Sequence, residues 1–369
     1  MGVVDGDAHW KRMRLRTVVK ESHGRPVAQM AYAKGACSNL VAVVGGDQAN
    51  IYDDQHFERH LDVVAQYVHV ETKHVQGGEL MCCCFVGCTE KDAKKHPYGD
   101  VRLAVGGEDG SVSILSLVEG RVLHILKKHK KPVVAIAADE SVPGQILSLD
   151  EDGMVYHWNA EEGTLLHTVV GKDATAVAVE PGAGNGIRAL ITGHKAGQIK
   201  RWTLSVSKDP PQRKRARVAD DLPMHAHSRA LDCLAFLPGN RLASKSTDGK
   251  VVVWDYETME QVCTWQVRVN GKECNFSHFG PTEDGSYIAT GTGDGHVHIH
   301  CTSTGRNMAT LSPVKVNGPV TCSIISVDCN HVLASLGAGF IFRFEHGIPA
   351  AEGSVGVVAE AIDKHPIME

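Results

Sequence analysis

One tight-turn pattern recurs along the chain and sets the unit of its architecture. The fullest copies read Ile146-Leu-Ser-Leu-Asp-Glu-Asp-Gly-Met-Val-Tyr-His-Trp158 and Arg241-Leu-Ala-Ser-Lys-Ser-Thr-Asp-Gly-Lys-Val-Val-Val-Trp254. Each is an apolar strand, an Asp-Gly turn and a second alternating strand ending on an aromatic residue, the strongest short hairpin signal. Weaker copies lie at 103–115, 190–202, 288–300 and 333–344. The turn glycines are Gly110, Gly153, Gly197, Gly249, Gly295 and Gly339, with successive spacings of 43, 44, 52, 46 and 44 residues. A degenerate seventh copy runs from Leu40 to Tyr52, where Gly45-Gly46 echoes Gly106-Gly107. A hairpin at this period marks one four-stranded propeller blade of roughly 40 to 45 residues. Seven copies predict an all-β, seven-bladed propeller, and the 369 residues leave room for two insertions and a tail.

Inner strands are expected at 26–32, 80–86, 132–138, 174–179, 231–237, 276–280 and 319–326. No outer strand follows the last hairpin near Phe344. One is available at the other terminus, where Arg12, Arg14 and Arg16 alternate with Met13 and Leu15 as on a half-exposed edge strand. A strand from Trp10 to Val19 is therefore predicted to complete the seventh blade and close the ring. The domain reading is an N-terminal extension over 1–9, a propeller over 10–347 with a basic insertion at 206–224, and a tail over 348–369.

Composition narrows the function. The chain carries 38 Lys and Arg against 43 Asp and Glu, a net charge of −5, which argues against a whole-protein nucleic-acid clamp and leaves only weak or indirect binding. No apolar run reaches the ~20 residues needed to span a bilayer, and the start lacks the apolar core of a secretory signal, so an intracellular chain is expected. The eleven cysteines are not spaced as a disulfide framework and read as reduced and buried, the run Cys82-Cys83-Cys84 included. Gly291-Thr-Gly-Asp-Gly295 turns between strands and opens no helix, so it does not cradle a dinucleotide. No cofactor, metal or small-molecule substrate is expected, and no catalytic residue. His296, His298 and His300 share one strand face; packing accounts for them better than a metal site. Of the two insertions, the one after Cys88 is a polar loop of unreadable role. The other carries Pro210-Pro211 and the cluster Arg213, Lys214, Arg215 and Arg217, which fits a nuclear localisation signal or phosphate-binding patch as well as a solvated charge run.

His129, Ser148, Asp152 and Trp158, and again His227, Ser244, Asp248 and Trp254, stand where blades of the WD40 repeat type place a hydrogen-bonded tetrad, so these Ser, His and Asp residues resemble structural networks rather than a catalytic triad. Blade four puts Lys172 where the histidine would be and blade six puts His300 where the tryptophan would be; both are expected to be looser.

Further motifs sharpen the resemblance. Lys20-Glu-Ser-His-Gly-Arg-Pro26, Leu231-Asp-Cys-Leu-Ala-Phe-Leu237 and Arg241-Leu-Ala-Ser-Lys-Ser246 are similar to motifs of the embryonic ectoderm development family, the WD-repeat subunits of the Polycomb repressive methyltransferase complex. The resemblance implies a non-catalytic nuclear scaffold whose partners are a SET-domain methyltransferase subunit and a histone tail, with trimethyl-lysine read in an aromatic cage. A cage needs several π-faces around the cation; its positions fall here on Ala28, Met81, Asn275 and Phe276, one aromatic where the family has four, so any reader function is degenerate. Lys128-His-Lys-Lys-Pro-Val133 also resembles the WD half of the leucine-rich-repeat protein associated with the origin recognition complex, whose leucine-rich half is absent here. A generic protein-interaction platform is the alternative.

Overall fold

In the second and third strands of each blade, β-branched and small apolar residues alternate across a turn that needs a positive φ. At Gly153 and Gly249 φ is 81° and 84°, values that a residue without Cβ adopts at little cost. The computed structural model describes residues 6–56, 60–71, 77–87, 100–138, 142–182, 186–204, 217–269, 277–313 and 318–346. Each hairpin grows into a four-stranded antiparallel sheet, and there are seven sheets. Six are built in chain order, innermost strand first. The seventh pairs the two ends of the fold: strand Met13–Lys20 lies antiparallel to Phe340–His346, with Met13 opposite His346 and Lys20 opposite Phe340.

The closing strand begins three residues later than expected. Trp10 sits in a one-turn helix, Gly6–Lys11, and is 1% exposed. Helical geometry swings the indole into a crevice between blades six and seven, edge-on to Tyr287 at 5.3 Å between ring centroids, where an edge strand would have left it beside solvent. A second difference concerns the basic insertion. Arg217–Asp221 is the outer strand of blade four, paired with Ile199–Thr203; polar residues suffice there because one face of an outermost strand is solvated. In blade six the ladder holds only Gly280–Pro281 on its inner strand, and Thr282 N–H donates to the Tyr287 carbonyl at 2.9 Å just beyond it. The other inner strands are Val27–Tyr32, Leu80–Val86, Val133–Ala138, Ala174–Val179, Leu231–Leu237 and Val320–Ile325.

Two features recur from blade to blade. In these six inner strands the pairing register skips the second residue, leaving Ala28, Met81, Val134, Thr175, Asp232 and Thr321 bulged. The bulges sharpen the strand twist at one rim of the axial channel. Between blades, volume is traded across the interface. A Cβ on Gly106 would lie 2.8 Å from Val133 Cγ1, one on Gly193 2.7 Å from Leu231 Cβ, and one on Gly291 2.5 Å from Val320 Cβ. Blade three reverses the order, with Leu149 in one core cluster with Ala174. A small residue against a large one keeps each wedge filled at native density.

Candidate protein-interaction site

The polar residues singled out from the sequence are built into the blade walls. In blade three His129 Nδ1 lies 2.8 Å from Asp150 Oδ2 and Nε2 lies 2.7 Å from Ser148 Oγ, while Trp158 Nε1 donates to Ser148 Oγ at 2.8 Å. A carboxylate only accepts, so Nδ1 carries the ring proton and Ser148 donates to Nε2. The acid is Asp150 and not Asp152. Asp150 ends the second strand and faces the histidine, whereas Asp152 is in the turn, exposed, and gives only its backbone N–H to Asp150 Oδ1 at 3.1 Å. In blade five the chain is longer: Trp254 Nε1 to Ser244 Oγ, Ser244 to His227 Nε2, His227 Nδ1 to Ser246 Oγ, each 2.8 Å, and Ser246 Oγ to Asp248 Oδ1 at 2.5 Å. Burial, reinforced by the charges of Lys250 and Lys245, pushes His227 down to about 4 and keeps it neutral.

Blade four has a hydrogen-bonded network of its own, although Lys172 contributes no ring. Its network closes through His194, whose Nε2 lies 2.9 Å from Thr192 Oγ1 and whose Nδ1 donates to the Lys172 carbonyl at 3.1 Å, with Trp202 Nε1 on Thr192 Oγ1 at 2.8 Å. The histidine has moved from the loop to the strand end, the place of Asp150. In blade six His300 stacks on Trp265, 4.7 Å between centroids and 13° between planes, and its buried Nδ1 has no partner among the described residues. His296 is drawn aside to Asp294 at 3.3 Å. Among the described residues no three His, Cys, Asp or Glu side chains converge as metal ligands would. Cys82 and Cys83 are buried free thiols, pushed well up by that burial.

Two buried ionic groups were not anticipated. Arg343, 0% exposed, joins blade seven to blade one: its Nε is 2.8 Å from Asp54 Oδ1, and Nη2 donates to the Asp54 carbonyl at 2.9 Å and to His331 Nε2 at 2.8 Å. His331 Nδ1 and Tyr32 Oη complete the shell of Asp54 Oδ2 at 2.8 and 2.6 Å. In blade five Lys245 Nζ meets Asp232 Oδ2 at 2.5 Å, both side chains 1% exposed. Lys245 stands where blades two, four and six carry Gly106, Gly193 and Gly291. Burial raises the Asp232 carboxyl while Lys245 pulls it down. Nearby His278 is lowered to about 4 by burial and by the charge of Lys245.

Of these residues Tyr32, Asp232 and His278 line the axial channel, a cavity of about 1040 Å³ whose walls come from the inner strands and are dominated by small residues such as Ala135, Ala176 and Ala235. Glu151, Asp152 and Lys195 stand at its mouth. Ala28 and Met81 are half-buried bulge residues on that rim and bring no π-face. Asn275, Phe276, Arg213, Lys214 and Arg215 lie outside the described residues; Arg217 pairs with Thr203 in blade four.

Residues 222–255, the approach to blade five and its hairpin, match the family model "WD domain, G-beta repeat". The fold is that of a WD-repeat propeller. Similar proteins include Autophagy-related protein 16 of Arabidopsis thaliana, 25% identical over 55% of this chain and 37% of that protein. E3 ubiquitin-protein ligase COP1 of Pisum sativum is 25% identical over 55% of the chain and 28% of its own length. Nuclear distribution protein PAC1 of Fusarium vanettenii is 30% identical over 38% and 31%. The matched region thus spans about a third of each relative. WD-repeat propellers generally serve as scaffolds that bind protein partners. The tetrads fit that use, since their hydrogen-bonding capacity is spent on holding strands together.

Proposed function

We propose that the protein is a non-catalytic scaffold subunit of a nuclear, chromatin-modifying assembly of the histone-methyltransferase type. One observation carries the scaffold reading: Ser148 and Ser244 are each bonded to a Trp and a His, and His129 and His227 to Ser and to Asp or a second Ser, inside the blade walls. Ser148 and Ser244 are also 0% exposed, so neither hydroxyl meets a substrate in the channel. The methyltransferase reading is supported by the Asp-Cys and Ser-Lys-Ser motifs of blade five, whose Asp232 and Lys245 form a buried pair where glycine fills the equivalent place in three other blades. The basic cluster at 213–217 supports the nuclear location. Reading of methylated lysine has little support, because Ala28 and Met81 supply no aromatic face. The test is purification of the tagged protein from nuclear extract with identification of the co-purifying chains. A stoichiometric SET-domain subunit is expected; recovery of cytoplasmic assemblies alone overturns the chromatin role.

A further inference from the structure

One face of the ring carries the loops leading into each blade and the turns between second and third strands. In blades three, four and five the turn is tied by its backbone to the loop entering or leaving its own blade. Glu151 N–H donates to the Pro132 carbonyl at 3.1 Å, Gly171 N–H to Gly153 at 3.0 Å, Lys195 N–H to Asp173 at 3.0 Å and Thr247 N–H to Ala230 at 2.9 Å. Each sector of this rim therefore stands on a fixed backbone support.

Six cations stand on it, all exposed: Lys128, Lys130, Lys131, Lys172, Lys195 and Arg229. The first three flank His129, whose ring is held inside the wall by Asp150 and Ser148. Four other cations of blades four and five are engaged: Arg201 with Glu180, Lys200 with Asp221, Lys245 with Asp232, and Lys250 Nζ with the Ala226 carbonyl at 2.7 Å. Among the described residues none of the six rim cations forms an ion pair. The exposed carboxylates between them are Glu151, Asp152 and Asp173. On a chain of net charge −5, unneutralised positive charge is thus gathered on one sector, beside the channel mouth formed in part by Lys195.

We propose that this rim docks an acidic peptide segment of a partner protein, laid from blade three to blade five beside the channel mouth. Charge complementarity across an exposed surface selects partners and speeds their encounter. The interspersed carboxylates favour a peptide over nucleic acid: spaced acidic side chains can avoid Glu151, Asp152 and Asp173, whereas a continuous phosphate backbone meets them. A lysine-rich tail is disfavoured for the same reason. The inference stands apart from the methyltransferase reading and uses purified protein only.

The test is fluorescence anisotropy with three short labelled probes: a Glu/Asp-rich peptide, a Lys-rich peptide and a single-stranded oligonucleotide. The wild type is expected to bind the acidic peptide most tightly, with affinity falling as salt is raised. The triple variant K128E/K130E/K131E is expected to lose about tenfold or more. K172E/K195E, on the other part of the rim, should weaken binding as well, and Arg121→Glu on the opposite face should not. Thermal melts of the variants confirm that these exposed changes leave the ring folded. Equal binding by the wild type and the triple variant overturns the proposal, as does preference for the oligonucleotide or the Lys-rich peptide, or failure of the wild type to bind the acidic probe.

Discussion

Replacing Trp10 by alanine measures how far the two chain ends hold the ring closed. The indole is 1% exposed and shares a core cluster with Ala289, Ile299 and Leu311 of blade six and Phe342 and Phe344 of blade seven. Truncating a buried tryptophan costs about 3–5 kcal/mol in transfer and cavity terms. Among the described residues Trp10 Nε1 is buried without an acceptor, an existing penalty of about 1–3 kcal/mol that the substitution relieves. The net loss is therefore expected below that range, about 2 kcal/mol. Trp10→Phe keeps most of the apolar surface and deletes the unpaired N–H, so it should lie within about 1 kcal/mol of the wild type. Urea unfolding near neutral pH gives the free energies. Hydrogen exchange of the Met13–Lys20 amides, paired to Phe340–His346, shows whether the closing strand opens first, as a locally less stable unit would. An alanine variant within about 0.5 kcal/mol of wild type, the scale of ordinary surface substitutions, with unchanged exchange, would refute the closure argument.

Two further predictions follow from buried charge. Lys245→Met strands Asp232 in the blade wall and should cost about 3–5 kcal/mol, whereas Lys245→Met with Asp232→Leu should recover most of it; equal stability of single and double variants in urea melts would show that the pair is not desolvated. Acid should also weaken the fold. Burial holds His157 near 3 and His227, His278 and His300 near 4, all below the unfolded value of about 6.5. Between those limits the unfolded chain binds more protons, so the stabilisation is complete above about pH 6.5 and is lost as pH falls toward 4, by at most about 1.4 kcal/mol per pH unit for each histidine. His346 contributes with the same sign, lowered by burial and by His9, whose Nε2 is 3.1 Å from its own. Urea midpoints that stay flat between neutral and mildly acidic pH would contradict this.

Features repeated at the blade period were legible in the sequence. The turn glycines mark hairpins because a positive φ admits few residues, and the Arg/Met/Leu alternation marks a half-exposed strand wherever its partner lies. What escaped has no local period. A single helical turn around Trp10 is shorter than any periodicity test can resolve. Asp150 and Asp152 have the same composition and differ only in whether the residue ends a strand or sits in a turn. His194 was missed because the histidine was sought in the loop before the blade; comparing strand ends, where Thr192-Gly-His194 lines up with Ser148-Leu-Asp150, would have found it. Arg343 and Asp54 are 289 residues apart, and neither strand signals a partner by itself. The cage positions illustrate the converse: Ala28 and Met81 are at strand bulges on the channel rim, yet position without ring chemistry gives no site.

The most direct test of the scaffold account is histone methyltransferase activity measured on nucleosomes, comparing the assembly purified through the tagged propeller with the propeller produced alone. Activity in the assembly and none in the isolated chain is the predicted result; activity in the isolated propeller, or none in the assembly, contradicts it.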